Sequence, residues 1–176
     1  MKILKVILFF LVLLCLLVIA AMIGAQFNLH PLPSNAMADR IRVEKAARRL
    51  TLLRGDNILK TYRVALGGAP VGPKEQEGDQ RTPEGLYRID FHKADSDYHL
   101  ALHVSYPEQR DIDRAAAQGV PPGSDIMIHG IRNGRGWIGA FHLRSDWAAG
   151  CIAVTDFEIE EIFRAVPDGT LIEIRP

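Results

Sequence analysis

The chain has 176 residues, in which 21 Lys and Arg balance 21 Asp and Glu. This length predicts one globular domain with at most one short appendage. Because no basic run and no interleaving of aromatic with basic residues is present, we predict a small or peptidic substrate rather than nucleic acid.

The first predicted element is an apolar helix at the N-terminus. Residues 6–25 carry no charge and are almost wholly apolar, and Lys2 and Lys5 precede them. Such a run is long enough to cross a hydrocarbon core of about 30 Å, and the lysines predict that the following chain lies outside the cytoplasm. We therefore predict a transmembrane anchor in residues 1–25, with a cleaved signal sequence as the alternative. Both place the remainder in the cell envelope or beyond it.

Residues 26–39, which include Pro31 and Pro33 and have no periodic pattern, predict a linker to a domain spanning residues 40–176. Short alternating segments in the domain predict a series of strands, with a long glycine- and proline-rich loop at residues 67–85. The predicted strands lie at 41–45, 50–53, 58–66, 86–91, 98–105, 125–128 and 170–174.

Two short helices are predicted within this β-rich pattern. Residues 111–118 form a helical segment that Gly119 and two prolines end. A second helix begins at Thr155, whose spacing to Glu158 is that of a capping box. The fold class predicted is mostly β, with one or two short helices.

A lone cysteine and a histidine are the most informative residues for chemistry. Cys15 lies in the apolar N-terminal run, so Cys151 is the one cysteine of the domain. An exported domain stabilised by cysteine would carry a pair, and a lone one is inert and buried, paired between chains, or reactive. His129 ends an apolar segment, and a neighbouring imidazole can stabilise a thiolate and protonate a leaving amine.

Taken alone, this pattern is also compatible with structural, non-catalytic roles for both residues. Cys151 between Gly150 and Ile152 is also typical of a small buried hydrophobic residue, and His129 of a structural histidine. Cysteine and histidine spacings typical of zinc sites are absent, so we expect neither a metal nor another cofactor.

Several ordered motifs surround this pair. Met-Ile-His-Gly ends at Gly130, Ser-Asp-Trp-Ala-Ala-Gly-Cys-Ile ends at Ile152, and Thr-Pro-Glu-Gly ends at Gly85. Together they resemble the L,D-transpeptidase catalytic domain (YkuD-like) family, and the resemblance extends over residues 40–175. It implies a β-rich fold around a cysteine site. It also implies an enzyme that attacks the L,D-peptide bond of peptidoglycan stem peptides, releases D-alanine and passes the acyl group to an amine.

The resemblance implies roles for individual residues. Cys151 corresponds to the acylated nucleophile, His129 to the proton donor and acceptor, and Gly130 to the position whose backbone carbonyl orients the histidine. Two residues depart from the family pattern: Ala149 replaces a histidine and Ala153 an arginine, and the spacing from His129 to Cys151 is longer than usual. A hydrolase of the same fold (an L,D-peptidase or amidase) is therefore an alternative, and a non-catalytic peptidoglycan-binding domain is a third.

Further residues are candidates for substrate binding. Gly150 would let a substrate carbonyl approach the backbone. Trp147 would line the substrate-binding groove, and the alternative is that its side chain only packs against the protein. His142 is a candidate to replace the missing histidine. The alternative is that it has only a structural role. Arg144 or Arg132 would suit a substrate carboxylate, because a guanidinium binds planar anions through two hydrogen bonds. We expect an enzyme that is anchored in the inner membrane or secreted, with its domain in the periplasm or extracytoplasmic space.

Overall fold

The computed structural model describes residues 2–24 and 30–176. The predicted anchor and the predicted linker both extend into residues outside this range, at Met1 and at positions 25–29. Helix α1 spans Lys2–Gly24. Within the described residues, no helix has the combined length and apolar character that a membrane span requires. The prediction of a transmembrane helix is therefore not supported.

One eight-stranded sheet forms the centre of the described domain. It runs in the order β3-β2-β1-β8-β4-β5-β6-β7. Neighbouring strands are antiparallel except for the pairs β1–β8 and β6–β7, which are parallel. The prediction of a mostly β fold is confirmed. The strands are β1 Arg40–Glu44, β2 Arg49–Arg54, β3 Asn57–Arg63, β4 Gly85–Ser96, β5 His99–Val104, β6 Met127–His129, β7 Ile152–Ala153 and β8 Leu171–Arg175.

Both predicted short helices are present, as α2 (Gln109–Ala117) and α3 (Asp156–Ala165). The capping box of α3 is complete, because the Thr155 N–H donates to Glu158 Oε2 at 2.9 Å and the Glu158 N–H donates to Thr155 Oγ1 at 3.4 Å. This pairing satisfies donors that a helix start otherwise leaves unpaired. Between β6 and β7, the segment Gly136–Arg144 forms 3₁₀ turns.

The core lies where the apolar faces of the strands and of α3 meet. In β1 the side chains alternate, and Ile41 and Val43 are fully buried. The short strands of the site are anchored in the same core, since Ile128 of β6 and Ile152 of β7 are also fully buried. Because these two side chains face the core, the neighbouring residues in each short strand point to the opposite face.

The described part of the predicted linker packs on the domain. The Leu32 N–H donates to Glu161 Oε1 at 2.8 Å, and the Ala38 N–H donates to the Ala165 carbonyl at 2.8 Å. Both apolar side chains are buried. Residues 32–39 therefore lie against α3.

Two buried lysines hold the long glycine- and proline-rich loop. Lys45 Nζ donates to the Thr82 carbonyl at 2.9 Å, and Lys74 Nζ donates to Asp79 Oδ1 at 2.8 Å. Burial of an ammonium group is costly unless it is paired and hydrogen-bonded. The two lysines therefore fix the path of this loop, whose residue Arg81 contacts the site.

Candidate active site

Cys151 and His129 line one cavity of about 480 Å³. The cavity lies at the end of the sheet formed by β6 and β7, with the loop that follows β4 along one side. Its lining residues are Lys93, Ser96, Asp97, Tyr98, Asp125, Met127, His129, Trp147, Ala148, Ala149 and Cys151.

The parallel pairing of β6 with β7 brings the two predicted catalytic residues to the same face. His129 pairs with Ala153, and Ile128 pairs with Ile152. Because strand side chains alternate with a period of two, Cys151 shares the face of Ala153. It therefore lies two residues before the level of His129, an offset of about 7 Å along the strands.

His129 is held in a single orientation by backbone and rings. Its Nδ1 lies 2.7 Å from the Gly130 carbonyl oxygen. A carbonyl only accepts, so Nδ1 carries the proton and Nε2 is left to accept one. The rings of Tyr98 and Trp147 flank the imidazole, with centroids 4.6 and 5.7 Å away. Burial lowers the pKa of His129, although the hydrogen bond to Gly130 acts in the opposite direction.

Cys151 is half-buried, and its thiol donates a weak hydrogen bond to the Asp125 carbonyl at 3.5 Å. Burial raises the pKa of the thiol, a backbone hydrogen bond from Met127 lowers it, and the Asp125 carboxylate raises it again. The net effect is an increase. In the free protein the sulfur is therefore a neutral thiol near a neutral imidazole, rather than a thiolate in an ion pair.

Gly150 is required by the packing of the backbone around it. Its φ is +121°, and a β-carbon there would lie 2.7 Å from the Arg81 carbonyl oxygen and 3.2 Å from Ile126 Cδ1. Any other residue would be strained at this φ and would clash with its neighbours. The structure thus gives the glycine a packing role in addition to the substrate approach predicted from the sequence.

The two alanines that depart from the family pattern have different surroundings. Ala149 is exposed and lines the cavity with its methyl group. Ala153 is fully buried and exchanges two backbone hydrogen bonds with Ala65, at 2.8 and 2.9 Å. An arginine at position 153 would need space that this packing does not leave.

Asp146 anchors the segment that leads to the cysteine. Its Oδ2 accepts hydrogen bonds from Arg48, at 2.8 Å from Nη2 and 3.2 Å from Nε, and its Oδ1 accepts the Leu66 N–H at 2.9 Å. The next residue, Trp147, lines the cavity and stacks on Tyr98, with ring centroids 6.1 Å apart. Asp146 therefore fixes the backbone from which Trp147 reaches the cavity.

His142 lies in a second cavity, of about 270 Å³, which shares Trp147 with the first. It is buried, and its Nδ1 accepts the Trp147 Nε1–H at 3.3 Å. Burial, with a smaller contribution from His129, lowers the pKa of His142 to about 4. Arg132 also lines the second cavity, whereas Arg144 lies over the Phe141 ring at 5.8 Å and lines neither of the two.

The sequence does not indicate several residues that the structure brings to the cysteine. Tyr98 follows an ordinary polar turn, and Met127 lies in an apolar strand. Asp125 has a φ of +58°, and its carbonyl oxygen accepts the hydrogen bond from the Cys151 thiol. No group of three or more His, Cys, Asp and Glu side chains in the described residues is placed to hold a metal ion.

The chain matches one protein family over most of its length. Residues 38–174 match the family model of the L,D-transpeptidase catalytic domain, YkuD. YafK of Escherichia coli K12, a protein named as a candidate L,D-transpeptidase, is 31% identical over 121 residues. These residues are 68% of this chain and 41% of YafK, so the chain spans about two fifths of the length of that relative.

Two solved structures show the same fold. Pgp2 of Campylobacter jejuni, described as a helical cell shape determining protein, has a TM-score of 0.60 at 22% identity, covering 80% of this chain and 48% of Pgp2. Bd1075 of Bdellovibrio bacteriovorus has a TM-score of 0.52 at 22% identity, covering 83% of this chain and 51% of Bd1075.

Proposed function

Because the chain belongs to the L,D-transpeptidase catalytic domain family, we propose that it is a cell-envelope enzyme that acts on peptidoglycan stem peptides through an acyl group on Cys151. The main support is the shared cavity, in which the thiol and the free Nε2 side of His129 occupy one face of β6 and β7. The fixed tautomer of His129 adds to this, since it leaves the correct nitrogen to accept a proton.

In the first half-reaction, the Cys151 sulfur attacks the carbonyl carbon of the L,D-peptide bond as its proton passes to His129 Nε2. The tetrahedral intermediate collapses, the carbon–nitrogen bond breaks, and the imidazolium gives its proton to the departing D-alanine amine. A thioester on Cys151 remains. The Gly130 carbonyl accepts the Nδ1–H throughout and stabilises the imidazolium while it exists.

In the second half-reaction, a nucleophile attacks the thioester carbon while His129 Nε2 takes its proton. The carbon–sulfur bond breaks, and the imidazolium returns the proton to the Cys151 sulfur. An acceptor amine gives a crosslinked or tethered product, whereas water gives a shortened stem peptide. One observation favours hydrolysis as the second candidate: Ala149 presents only a methyl group to the cavity. The wall beside the thioester is therefore open to water.

A product assay distinguishes these reactions. The purified chain is incubated with tetrapeptide muropeptides, with and without an acceptor amine, and the products are separated and weighed by mass spectrometry. A crosslinked product supports transfer, and a tripeptide with free D-alanine supports hydrolysis. A thioester adduct on Cys151 in the intact protein is expected in both cases.

Matched variants make this assay specific. Cys151→Ala is expected to abolish product and adduct, while Cys15→Ala leaves both unchanged. His129→Gln is expected to lower the rate by 10²–10⁴-fold, about the contribution of general acid–base catalysis. His92→Gln, which changes a histidine bound to Asp168 outside the cavity, is the control. If Cys151→Ala still binds peptidoglycan and the unaltered chain forms no product, the chain is a binding module and the proposal is wrong.

The same proposal places the domain in the extracytoplasmic part of the cell envelope, where peptidoglycan lies. The likeness to Pgp2, which is named for determining helical cell shape, makes cell-shape maintenance the physiological role to test with a deletion strain.

A further inference from the structure

The second cavity adjoins the cavity of Cys151 at Trp147. Trp147 lines both cavities, and its indole N–H is bonded to His142 inside the second one. A peptide held in the first cavity therefore lies beside the second, with the Trp147 ring at the boundary.

The buried side chain of His142 offers a donor that lacks a partner. Tryptophan N–H only donates, so His142 Nδ1 is the acceptor and the proton of the neutral ring is on Nε2. This Nε2 is buried and has no hydrogen-bond partner among the described residues. Buried polar atoms are nearly always paired, so an unpaired donor beside a cavity points to a ligand acceptor atom.

Two arginines at the same cavity also lack partners. The guanidinium groups of Arg132 and Arg135 make no hydrogen bond or ion pair with any side chain in the part of the chain that the structure describes. The remaining lining is neutral or apolar: Ile131, Ile138, Phe141, Ser145 and Trp147. The cavity therefore presents positive charge and hydrogen-bond donors without an acidic residue.

The first cavity has the opposite character on one side, because Asp97 and Asp125 line it with Lys93 as the one cation. A carboxylate on the substrate is repelled at the aspartates and attracted at the arginines. Complementary potentials of this kind set the orientation of a bound ligand. The difference between the two cavities thus selects which end of a peptide lies on which side of Trp147.

From these observations we infer a carboxylate-binding subsite in the second cavity, in which Arg132, Arg135 and His142 Nε2 bind a free carboxylate of the peptide whose bond is cleaved at Cys151. This inference rests on the proposed function and adds to it the chemical group by which the substrate is positioned. The three residues are positioning residues, since none of them reaches the reacting atoms.

Binding to a catalytically dead protein tests the subsite apart from catalysis. Stem tetrapeptides are prepared in pairs that differ only in whether one carboxyl group is free or amidated, and their affinity for the Cys151→Ala chain is measured by calorimetry. Among these pairs, one free-acid form is expected to bind at least about tenfold more tightly than its amide, the contribution of one charge-assisted hydrogen bond. This preference is expected to weaken as salt is raised.

Variants then assign the preference to the cavity. In the same background, Arg132→Gln and Arg135→Gln are each expected to remove most of the preference for the free acid and to leave the affinity for the amide unchanged. Arg54→Gln, which removes an exposed charge at the far end of β2, is the matched control. His142→Leu is expected to reduce the preference, and His142→Gln, which keeps a donor, to retain part of it.

In the active protein the same arginine variants are expected to raise KM for the free-acid substrate about tenfold with little change in kcat. Equal affinity for the acid and amide of every pair overturns the subsite, as does a preference that survives both arginine variants. Turnover without such a preference would refute the subsite alone. Arginine-dependent binding without turnover would refute the proposed function alone.

Discussion

Removal of the Asp146 carboxylate is expected to destabilise the domain through two separable interactions. The first is the hydrogen bond that Oδ1 accepts from the Leu66 backbone N–H at 2.9 Å. The second is the ion pair of Oδ2 with Arg48 at 2.8 Å. The first joins the segment before Cys151 to the chain after β3, and the second joins it to the turn between β1 and β2.

The magnitudes follow from the burial of each partner. A backbone N–H left without an acceptor costs about 1–3 kcal/mol. The ion pair contributes less, about 0.5–1 kcal/mol, because the Arg48 side chain is 37% exposed and screened by water. Asp146→Ala is therefore expected to lower the free energy of unfolding by about 2–4 kcal/mol and Tm by roughly 4–16 °C. Asp146→Asn keeps an acceptor oxygen and is expected to cost only about 1 kcal/mol.

The assay is urea denaturation of the purified chain, followed by tryptophan fluorescence, for both Asp146 variants, Arg48→Ala and the Arg48→Ala/Asp146→Ala double variant. The double-mutant cycle isolates the ion pair from the hydrogen bond to Leu66. Equal losses for Asp146→Asn and Asp146→Ala would refute the assignment of most of the stability to the Leu66 bond. A coupling energy of zero would mean that the ion pair between Asp146 and Arg48 does not contribute to stability.

Three further predictions concern the site. Iodoacetamide should alkylate Cys151 slowly at pH 7 and faster as the pH passes the usual thiol pKa of 9.0, because burial raises the pKa of this thiol; mass spectrometry gives the rates. Since the folded state lowers the pKa of His142 from 6.5 to about 4, only the unfolded chain takes up this proton just below pH 6.5. The free energy of unfolding should thus fall by up to about 2 kcal/mol between pH 7 and pH 5 through this group, and His142→Phe should remove that part. Gly150→Ala should destabilise by about 2–4 kcal/mol through strain and overlap with Arg81, measured by urea denaturation against Gly78→Ala, where a positive φ of +77° meets open space.

Each of these has an outcome that would contradict it. Full alkylation of Cys151 at pH 7, at the rate seen at pH 10, would mean that the free protein already holds a thiolate. An unchanged pH dependence of stability in His142→Phe would mean that His142 titrates normally. Equal destabilisation by Gly150→Ala and Gly78→Ala would mean that φ strain alone accounts for the loss of stability. The predicted overlap with Arg81 would then contribute nothing.

The strands and helices are predictable from local patterns, because these patterns report which faces are buried. Alternating Ile41 and Val43 in β1 and the capping box from Thr155 to Glu158 each act within a few residues. The order of the strands is not local. The parallel neighbour of β1 is β8, from the opposite end of the domain, and no pattern within either strand specifies that pairing.

The site shows the same division between local and distant information. Cys151 and His129 are identifiable because their motifs lie within short segments. The partner of Asp146 is Arg48, and the acceptor for the Cys151 thiol is the backbone of Asp125. Contacts such as these depend on where distant segments meet in three dimensions. The unpaired Nε2 of His142 is likewise visible only once its neighbours are known.

The opposite pKa shifts of the proposed catalytic pair determine when the proton moves. Burial raises the pKa of Cys151 and lowers that of His129, so both shifts favour the neutral pair and oppose an ion pair in the free protein. Proton transfer to Nε2 must then accompany the attack on substrate rather than precede it. The Gly130 carbonyl binds the Nδ1–H more strongly as the ring becomes positive, so its stabilisation is greatest in the transition state. An interaction with that property accelerates the chemical step instead of only tightening the binding of substrate.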